Sequence, residues 1–207
     1  MSLSKICGSE DIITPLTEKD DKVRLNLGLP AAQNFEKPKS EWTLRNRWQH
    51  FRTGRTYPIR FYHHIPCSEL IDWIPKEIWD SYFKFTVERN PFDKVASFYF
   101  WRKADEKYAC VSDWILDGGL EPMKSYDLYS INKTPAIDKI YKFEDFPFFE
   151  KDLSKRLNLS EPFKLIEYKA KSSSRKVRDY RQVLDDKAVE LIRIAFAREI
   201  ELLDYKF

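Results

Sequence analysis

The chain has 207 residues, with 36 lysines and arginines against 33 aspartates and glutamates, so its formal net charge is +3. This length fits one domain with a sizeable core, and an aromatic content of 15% argues against disorder over the whole chain. The small net charge gives no indication of nucleic-acid binding. No apolar run approaches the roughly 18 residues of a membrane-spanning helix, and no hydrophobic signal region opens the sequence. Three scattered cysteines favour a reducing compartment, so we expect a cytoplasmic location.

The first 60 residues predict little regular structure. Residues 1–17 are expected to hold a short helix end and a loop, and residues 18–60 are polar and turn-rich. A basic tract with interleaved aromatic side chains lies in the second stretch: Trp42, Arg45, Arg47, Trp48, Phe51, Arg52, Arg55 and Arg60. A charge run of this kind usually faces water. The alternatives are an acceptor-binding edge, where aromatic faces stack on sugar rings, and a nucleic-acid surface, for which no accompanying motif is present.

The middle of the chain is predicted to contain helical structure followed by a strand. One or two helices are expected over residues 66–82, because Pro66 and Pro75 each fit the start of a helix. Apolar and polar side chains then alternate over residues 83–88, which is the period of a strand.

A helix predicted over residues 91–104 follows that strand directly, with Asn90 as a suitable N-cap. Arg89 therefore lies between the carboxyl end of a strand and the amino end of a helix, where free N–H groups and the helix dipole attract anions. Ser97 lies away from the apolar stripe of the helix, so its hydroxyl is not expected to be buried in the core. The segment predicts a phosphate site, although an ordinary strand–helix unit with a surface arginine fits the spacing equally well.

The rest of the chain continues the alternation of helices and strands. The expected elements are a short helix near 113–116 ended by glycines, a strand over 137–143, a helix over 146–157 and a final helix over 185–203. This order predicts an α/β fold with a parallel sheet. A basic, hydroxyl-rich run at 169–176 precedes the final helix and is either a solvated linker or a second anion site.

Three histidines are candidates for proton transfer: His50, His63 and His64. Histidine is the side chain best suited to accept a proton near neutral pH, but a hydrogen-bonded structural role is the ordinary alternative. His50 is expected at the surface. A metal site or a Cys–His nucleophile built with Cys67 is disfavoured, because no second ligand pair or orienting group accompanies these residues. We predict no metal.

One motif is far more specific than these patterns. RNPFDKVAS, followed by FYF, resembles the 3′-phosphate-binding motif of sulfotransferases. CGSEDIITPL, HIPCSELIDWIPKEIWDSYFKF, IDKIYKFEDF and the carboxyl-terminal KSSSRKVRDYRQVLDDKAVELIRIAFAREIELLDYKF resemble the bacterial branch of the sulfotransferase-2 group, which is related to carbohydrate sulfotransferases.

The resemblance implies a single P-loop-like domain over residues 1–207, in which helices flank a parallel sheet in three layers. It implies transfer of a sulfuryl group from 3′-phosphoadenosine 5′-phosphosulfate (PAPS) to a hydroxyl, expected to belong to a carbohydrate. The family's first strand and 5′-phosphosulfate loop, of the form IPKTAGTS, are expected to be missing from this sequence.

The resemblance also assigns roles to individual residues. Arg89 and Ser97 match the positions that hold the 3′-phosphate of PAPS. Arg175 matches a basic position in a nucleotide-closing loop at 169–180, which closes over the nucleotide and its 3′-phosphate, so the three residues are expected to surround one phosphate. His64 matches the general base, with His63 as its neighbour. Residues 18–60 are implied to face the acceptor.

Two functions remain open at this point. The first is a PAPS-dependent sulfotransferase that acts on a carbohydrate. The second is a non-catalytic, sulfotransferase-like remnant that binds adenosine 3′,5′-bisphosphate or an anionic glycan. Neither involves a nucleic acid or a membrane span, and the sequence does not give the oligomeric state.

Overall fold

The computed structural model describes residues 1–53, 58–166 and 175–207. The chain divides into two compact units, Met1–Ile74 with Lys164–Ile166 and Pro75–Phe163 with Glu167–Phe207. Helices and short strands are mixed, and a parallel pair of strands lies in the second unit. The α/β class is confirmed at this general level, while the P-loop-like, three-layer arrangement and the single domain stay predictions. In the described ranges, no helix has the length and apolar character needed to cross a membrane.

The first unit contains helices α1 (Glu18–Asn26), α2 (Leu44–Thr53) and α3 (Cys67–Leu70). The expectation that residues 18–60 are turn-rich is therefore wrong at α1 and α2. Helix α1 is polar on almost every face, so it lacks the apolar period by which helices are recognised. Its start is fixed by Thr17, whose hydroxyl accepts a hydrogen bond from the Asp20 amide at 3.2 Å.

The second unit contains the remaining named elements. They are α4 (Lys76–Ser81), β1 (Phe85–Glu88), α5 (Pro91–Trp101), α6 (Val111–Trp114), β2 (Ser130–Ile131), β3 (Thr134–Pro135), β4 (Lys139–Lys142), α7 (Phe146–Arg156), α8 (Asp186–Ala195) and α9 (Ala197–Leu203). Strands β1 and β4 pair in parallel, with Phe85 opposite Lys139 and Glu88 opposite Lys142. The two strands predicted from alternation are thus confirmed, together with their parallel pairing. Strands β2 and β3 form a short antiparallel pair.

Helix α5 carries the centre of the core in the second unit. Its side chains Phe92, Val95 and Ala96 are almost completely buried. They belong to one hydrophobic cluster with Val189 and Ile192 of α8. The apolar stripes predicted for these helices are therefore packing surfaces, which fixes α5 and leaves its other face for polar side chains.

Helix α7 packs against the other strand of the parallel pair. The rings of Tyr141 on β4 and Phe149 on α7 have centroids 4.8 Å apart. Asp152 on α7 accepts hydrogen bonds from Lys139 Nζ at 2.8 Å, from the Tyr141 hydroxyl at 2.5 Å and from Arg156 Nε at 2.7 Å. These donors, Lys139 foremost, hold the pKa of the Asp152 carboxyl well below its usual range.

Two helix ends differ from the sequence expectation. The final helix is interrupted at Phe196, whose backbone leaves helical values (φ −114°, ψ 27°), so that α8 and α9 are separate. No glycine or proline marks this point, and the Phe196 ring is buried in the core. Helix α5 stops at Trp101 rather than at residue 104, because Lys103 adopts a left-handed conformation with φ 53°.

Candidate functional site

The junction between β1 and α5 has the geometry that the sequence predicts. Strand β1 ends at Glu88, and the Asn90 side chain caps α5 by accepting a hydrogen bond from the Phe92 amide at 3.0 Å. Pro91 occupies the first helical position. Arg89 therefore lies between the end of a strand and the amino end of an 11-residue helix, where the helix dipole favours negative charge.

Asp93, in the first turn of α5, joins two arginines that are distant in sequence. Arg89 Nε donates a hydrogen bond to Asp93 Oδ2 at 2.5 Å, and Arg89 Nη2 forms an ion pair with the same oxygen. Arg175 Nη1 donates to the other oxygen, Oδ1, at 2.6 Å across 82 residues of sequence. We call Arg89, Asp93 and Arg175 the arginine–aspartate bridge. The structure thus brings two of the three residues implied for 3′-phosphate binding onto one carboxylate.

Further contacts fix the two guanidinium groups of the bridge. The Arg89 guanidinium lies over the Phe143 ring, 4.8 Å from its centroid. Arg175 Nε donates to the Val177 carbonyl at 2.8 Å. Arg175 Nη2 is buried and has no hydrogen-bond partner among the described residues. A buried donor without an acceptor is uncommon in folded proteins.

Ser97, the third residue implied for the phosphate, lies one helical turn after Asp93. Residues four apart share one face of a helix, so Ser97 and Asp93 lie on the same side of α5. Its side chain is half-buried, and its hydroxyl has no hydrogen bond within the described parts of the chain. Asp93 stands between Arg89 and Ser97, so an anion that reaches both of them must displace or share this carboxylate.

The bridge is partly open to solvent. The exposed fractions of the side chains are 25% for Arg89, 22% for Asp93 and 14% for Arg175. An ion pair at this exposure is held less tightly than one that is fully buried, and a more highly charged anion can compete for its guanidinium groups.

The loop at 169–180 is described only in part. Residues 169–174, which include Lys171, lie outside the described residues. At the edge of this segment, Lys176 forms an ion pair with Asp105 at 2.5 Å, and the hydrogen bond that Lys176 donates to this carboxylate raises the pKa of Lys176. The two basic residues that follow the gap, Arg175 and Lys176, thus both bind aspartates of the second unit.

His63 and His64 belong to the first unit, and both side chains are exposed. Their rings meet edge to face, with centroids 5.4 Å apart. His64 has φ 59°, a left-handed conformation that non-glycine residues adopt uncommonly. In the described ranges no hydrogen bond orients the His64 ring. His64 stays the candidate base on the strength of the sequence resemblance and its accessibility.

The remaining histidine and cysteine alternatives gain no support from the geometry. His50 is half-buried, with its ring 5.1 Å from that of Trp42 in an edge-on contact. Cys67 begins α3 and is half-buried. Over the residues that the structure describes, no three histidine, cysteine or acidic side chains are arranged to hold a metal ion.

The basic tract at 42–60 does not form one uniform surface. Trp42 is buried, whereas Trp48 and Phe51 on α2 are exposed. Arg60 forms an ion pair with Glu41, and Arg55 lies outside the described residues. The sequence gives the composition of this tract but not its division into an inner and an outer side.

Sequence reasoning missed a buried acidic pair beside the bridge. Glu88, the last residue of β1, and Glu199 on α9 are 3% and 4% exposed. The Ser125 hydroxyl donates to Glu88 Oε1 at 2.5 Å, and Lys94 Nζ lies 3.4 Å from Glu88 Oε2. Burial, with the nearby Glu88 charge, raises the pKa of the Glu199 carboxyl.

The only sequence signal for this pair is a glutamate at the end of an otherwise apolar strand. Glu199 lies beside the apolar stripe of the final helix, about 20° from Ile192 at roughly 100° per residue, but a glutamate gives no signal of burial, because glutamates are almost never fully buried. Both glutamates are buried within the second unit, and the Tyr205 hydroxyl donates a hydrogen bond to the backbone carbonyl of Glu88 at 3.0 Å.

Searches against family models, curated proteins and solved structures found no match to this chain. The functional assignment therefore depends on the sequence resemblance and on the site geometry described above.

Proposed function

We propose that the chain binds a 3′-phosphorylated adenine nucleotide at the arginine–aspartate bridge and transfers the sulfuryl group of PAPS to a carbohydrate hydroxyl. The observation that carries this proposal is the meeting of two guanidinium groups, 82 residues apart in sequence, on one carboxylate at the amino end of α5. The motif RNPFDKVAS supplies the identity of the anion, since it resembles the 3′-phosphate motif of sulfotransferases.

The chemistry of the bridge fits a phosphate. A phosphate monoester has three acceptor oxygens and close to two negative charges, and arginine forks bind such groups through paired hydrogen bonds. Arg175 Nη2 offers a buried donor that Asp93 does not satisfy. In this proposal the 3′-phosphate takes the guanidinium groups that Asp93 holds in the free protein, and Ser97 adds a hydroxyl donor from the next turn.

The transfer step needs a base and an activated donor. PAPS, when bound, supplies the sulfuryl group with its 5′-phosphate as leaving group. An acceptor oxygen forms the new O–S bond while the S–O bond to that phosphate breaks, and His64 accepts the proton that the hydroxyl loses. The exposed ring of His64 is open to a substrate. No metal is required in this proposal, because cationic side chains can stabilise the charge on the leaving oxygen.

Calorimetry with two nucleotides tests the binding part. Adenosine 3′,5′-bisphosphate should bind, and adenosine 5′-monophosphate, which lacks the 3′-phosphate, should bind at least about tenfold more weakly. Arg89→Ala should reduce affinity for the bisphosphate by about tenfold or more. Arg102→Ala is the matched control, since Arg102 follows the opposite end of α5. Equal affinity for the two nucleotides, or unchanged affinity in Arg89→Ala, contradicts the proposal.

A transfer assay separates the enzyme from a binding protein. Radiolabelled PAPS is offered with a panel of glycans, and incorporation is compared between the wild-type chain and His64→Asn. A signal that depends on His64 supports catalysis. The binding function is the second candidate, because no hydrogen bond within the described residues orients the His64 ring. Binding of the bisphosphate without transfer to any glycan supports that second function.

A further inference from the structure

Helix α2 exposes its apolar side chains to solvent, whereas a surface helix of a globular protein usually buries them. Its apolar side chains Leu44, Trp48 and Phe51 are 85%, 61% and 90% exposed. These positions are four and seven residues apart, so they form one stripe along the helix. Phe51 and Leu44 are the most exposed large hydrophobic side chains in the described parts of the chain.

The polar face of α2 is the one that packs inward. Asn46 and His50 are half-buried, and the His50 ring contacts the buried Trp42. Asn46 Oδ1 accepts a hydrogen bond from the Thr43 hydroxyl at 2.7 Å, which fixes the start of the helix. The usual arrangement, with the apolar stripe toward the protein and polar residues toward water, is therefore reversed.

Arginines border the exposed stripe on both sides. With about 100° per residue, Arg47 lies roughly 60° to one side of Leu44, while Arg52 and Arg45 lie roughly 80–100° to the other. Helix α2 contains no acidic residue. The Arg52 guanidinium lies over the Trp48 ring at 5.3 Å, which places a cation at the edge of the apolar stripe.

This pattern favours a lipid surface over the other anionic partners. A sugar would stack on an open indole face, but a guanidinium covers one face of Trp48, and a sugar gives no reason for exposed Leu44 and Phe51. A nucleic acid would use the arginines and leave the same two side chains in water. A bilayer interface accommodates the apolar side chains and the arginines together, because the apolar stripe inserts at the boundary between headgroups and acyl chains while the arginines contact anionic headgroups.

We propose that α2 docks the chain onto an anionic phospholipid surface, lying in the plane of the interface with Leu44, Trp48 and Phe51 inserted. This function is independent of nucleotide binding, since it uses a different unit of the chain. It involves contact with one leaflet only, because a helix of 10 residues is far too short to cross the hydrocarbon core.

Co-sedimentation of the full chain with vesicles tests the proposal. Vesicles of phosphatidylcholine mixed equally with phosphatidylglycerol should bind the chain, vesicles of phosphatidylcholine alone should bind it poorly, and added salt should weaken binding. Phe51→Ser should lower the partition coefficient about tenfold, and Arg52→Gln about fivefold. Ile194→Ser is the matched control, since Ile194 on α8 is also exposed, at 68%, and should leave binding unchanged.

Several outcomes overturn the proposal. One is equal sedimentation with neutral and anionic vesicles, and another is wild-type binding by Phe51→Ser. Binding to heparin or RNA that requires Arg52 but not Phe51 assigns the surface to a polyanion instead. A concentration-dependent dimer in analytical ultracentrifugation that Phe51→Ser abolishes assigns it to a second copy. Circular dichroism of each variant shows whether the fold is kept.

Discussion

Asp93→Asn is the substitution that tests the candidate site most directly. It keeps the shape of the side chain but removes its charge and one of its two acceptor oxygens. One arginine therefore keeps a hydrogen bond to a neutral oxygen, while the other faces the amide NH2 group and loses its bond. Hydrogen bonds to a charged group contribute about 1.5–3 kcal/mol and neutral ones about 1 kcal/mol, which at these partly exposed positions gives a loss of roughly 2 kcal/mol for the two arginines together. An acid in the first turn of a helix adds about 0.5 kcal/mol. We expect the free energy of unfolding to fall by about 2–3 kcal/mol.

Urea unfolding followed by circular dichroism at neutral pH measures this change. Asp105→Asn is the control, because Asp105 is likewise little exposed but pairs with the largely exposed Lys176 alone. Its loss should be no more than about 1 kcal/mol. If Asp93→Asn costs no more than the control, the reasoning about a shared carboxylate is wrong.

The same substitution has an opposite effect on ligand binding. Because Asp93 competes with the 3′-phosphate for two guanidinium groups, Asp93→Asn should raise the affinity for adenosine 3′,5′-bisphosphate by about fivefold or more. Combining it with Arg175→Ala should cancel this gain, which a double-mutant cycle measures. A fall in affinity on Asp93→Asn, with Arg175 intact, would mean that the carboxylate positions the arginines rather than competing for them.

Three further substitutions test other parts of the structure by urea unfolding. Asp152→Asn should lower stability by about 2 kcal/mol at neutral pH. Because the folded state depresses the pKa of Asp152, this difference should persist down to the unfolded-state pKa of about 4 and then shrink progressively as the pH falls toward the lower folded-state pKa. A difference that stays constant between about pH 4 and about pH 2 contradicts this prediction. Burial raises the pKa of Glu199, so the protonated side chain stabilises the fold at acid pH, and this contribution is lost as the pH rises through the pKa of Glu199 in the folded state. Glu199→Gln should therefore raise the free energy of unfolding by about 1 kcal/mol at neutral pH and leave it unchanged near pH 4. Gly119→Ala would place a Cβ in collision with the Trp114 ring, so it should lower the free energy of unfolding by more than about 2 kcal/mol. Gly118→Ala meets no neighbouring atom but requires φ +85°, so it should lower this free energy by about 1 kcal/mol. Equal losses for the two substitutions would contradict the packing argument.

The junction of β1 and α5 could be predicted because its signals are local. An N-cap asparagine, a proline at the first helical position and an acid in the first turn all lie within four residues of Arg89, and each acts through the backbone of its own helix. The parallel pairing of β1 and β4 followed from the order of strands and helices. The signals at the junction do not depend on residues far away in the sequence.

What could not be predicted depends on tertiary contacts. Asp93 could be recognised as a helix-start acid, but its second bond, to Arg175, spans 82 residues. Trp42 and Trp48 look alike in the sequence, yet Trp42 is buried and Trp48 is exposed. The separation of α8 and α9 at Phe196 was not predicted either, because no breaker residue signals an interruption.

The charge of the bridge supports the proposed binding role. Two guanidinium groups share one carboxylate, so the hydrogen-bonded set carries one uncompensated positive charge at the end of a helix that already favours anions. A structural pair needs no such excess, and among the described residues Lys176 and Asp105 form an ion pair in which one cation meets one carboxylate. Arg175 Nη2 adds a buried donor without an acceptor in the described chain. In the proposed function, a dianionic phosphate supplies negative charge and an acceptor for Arg175 Nη2 together, in exchange for the bonds that the two arginines make to Asp93 in the free protein.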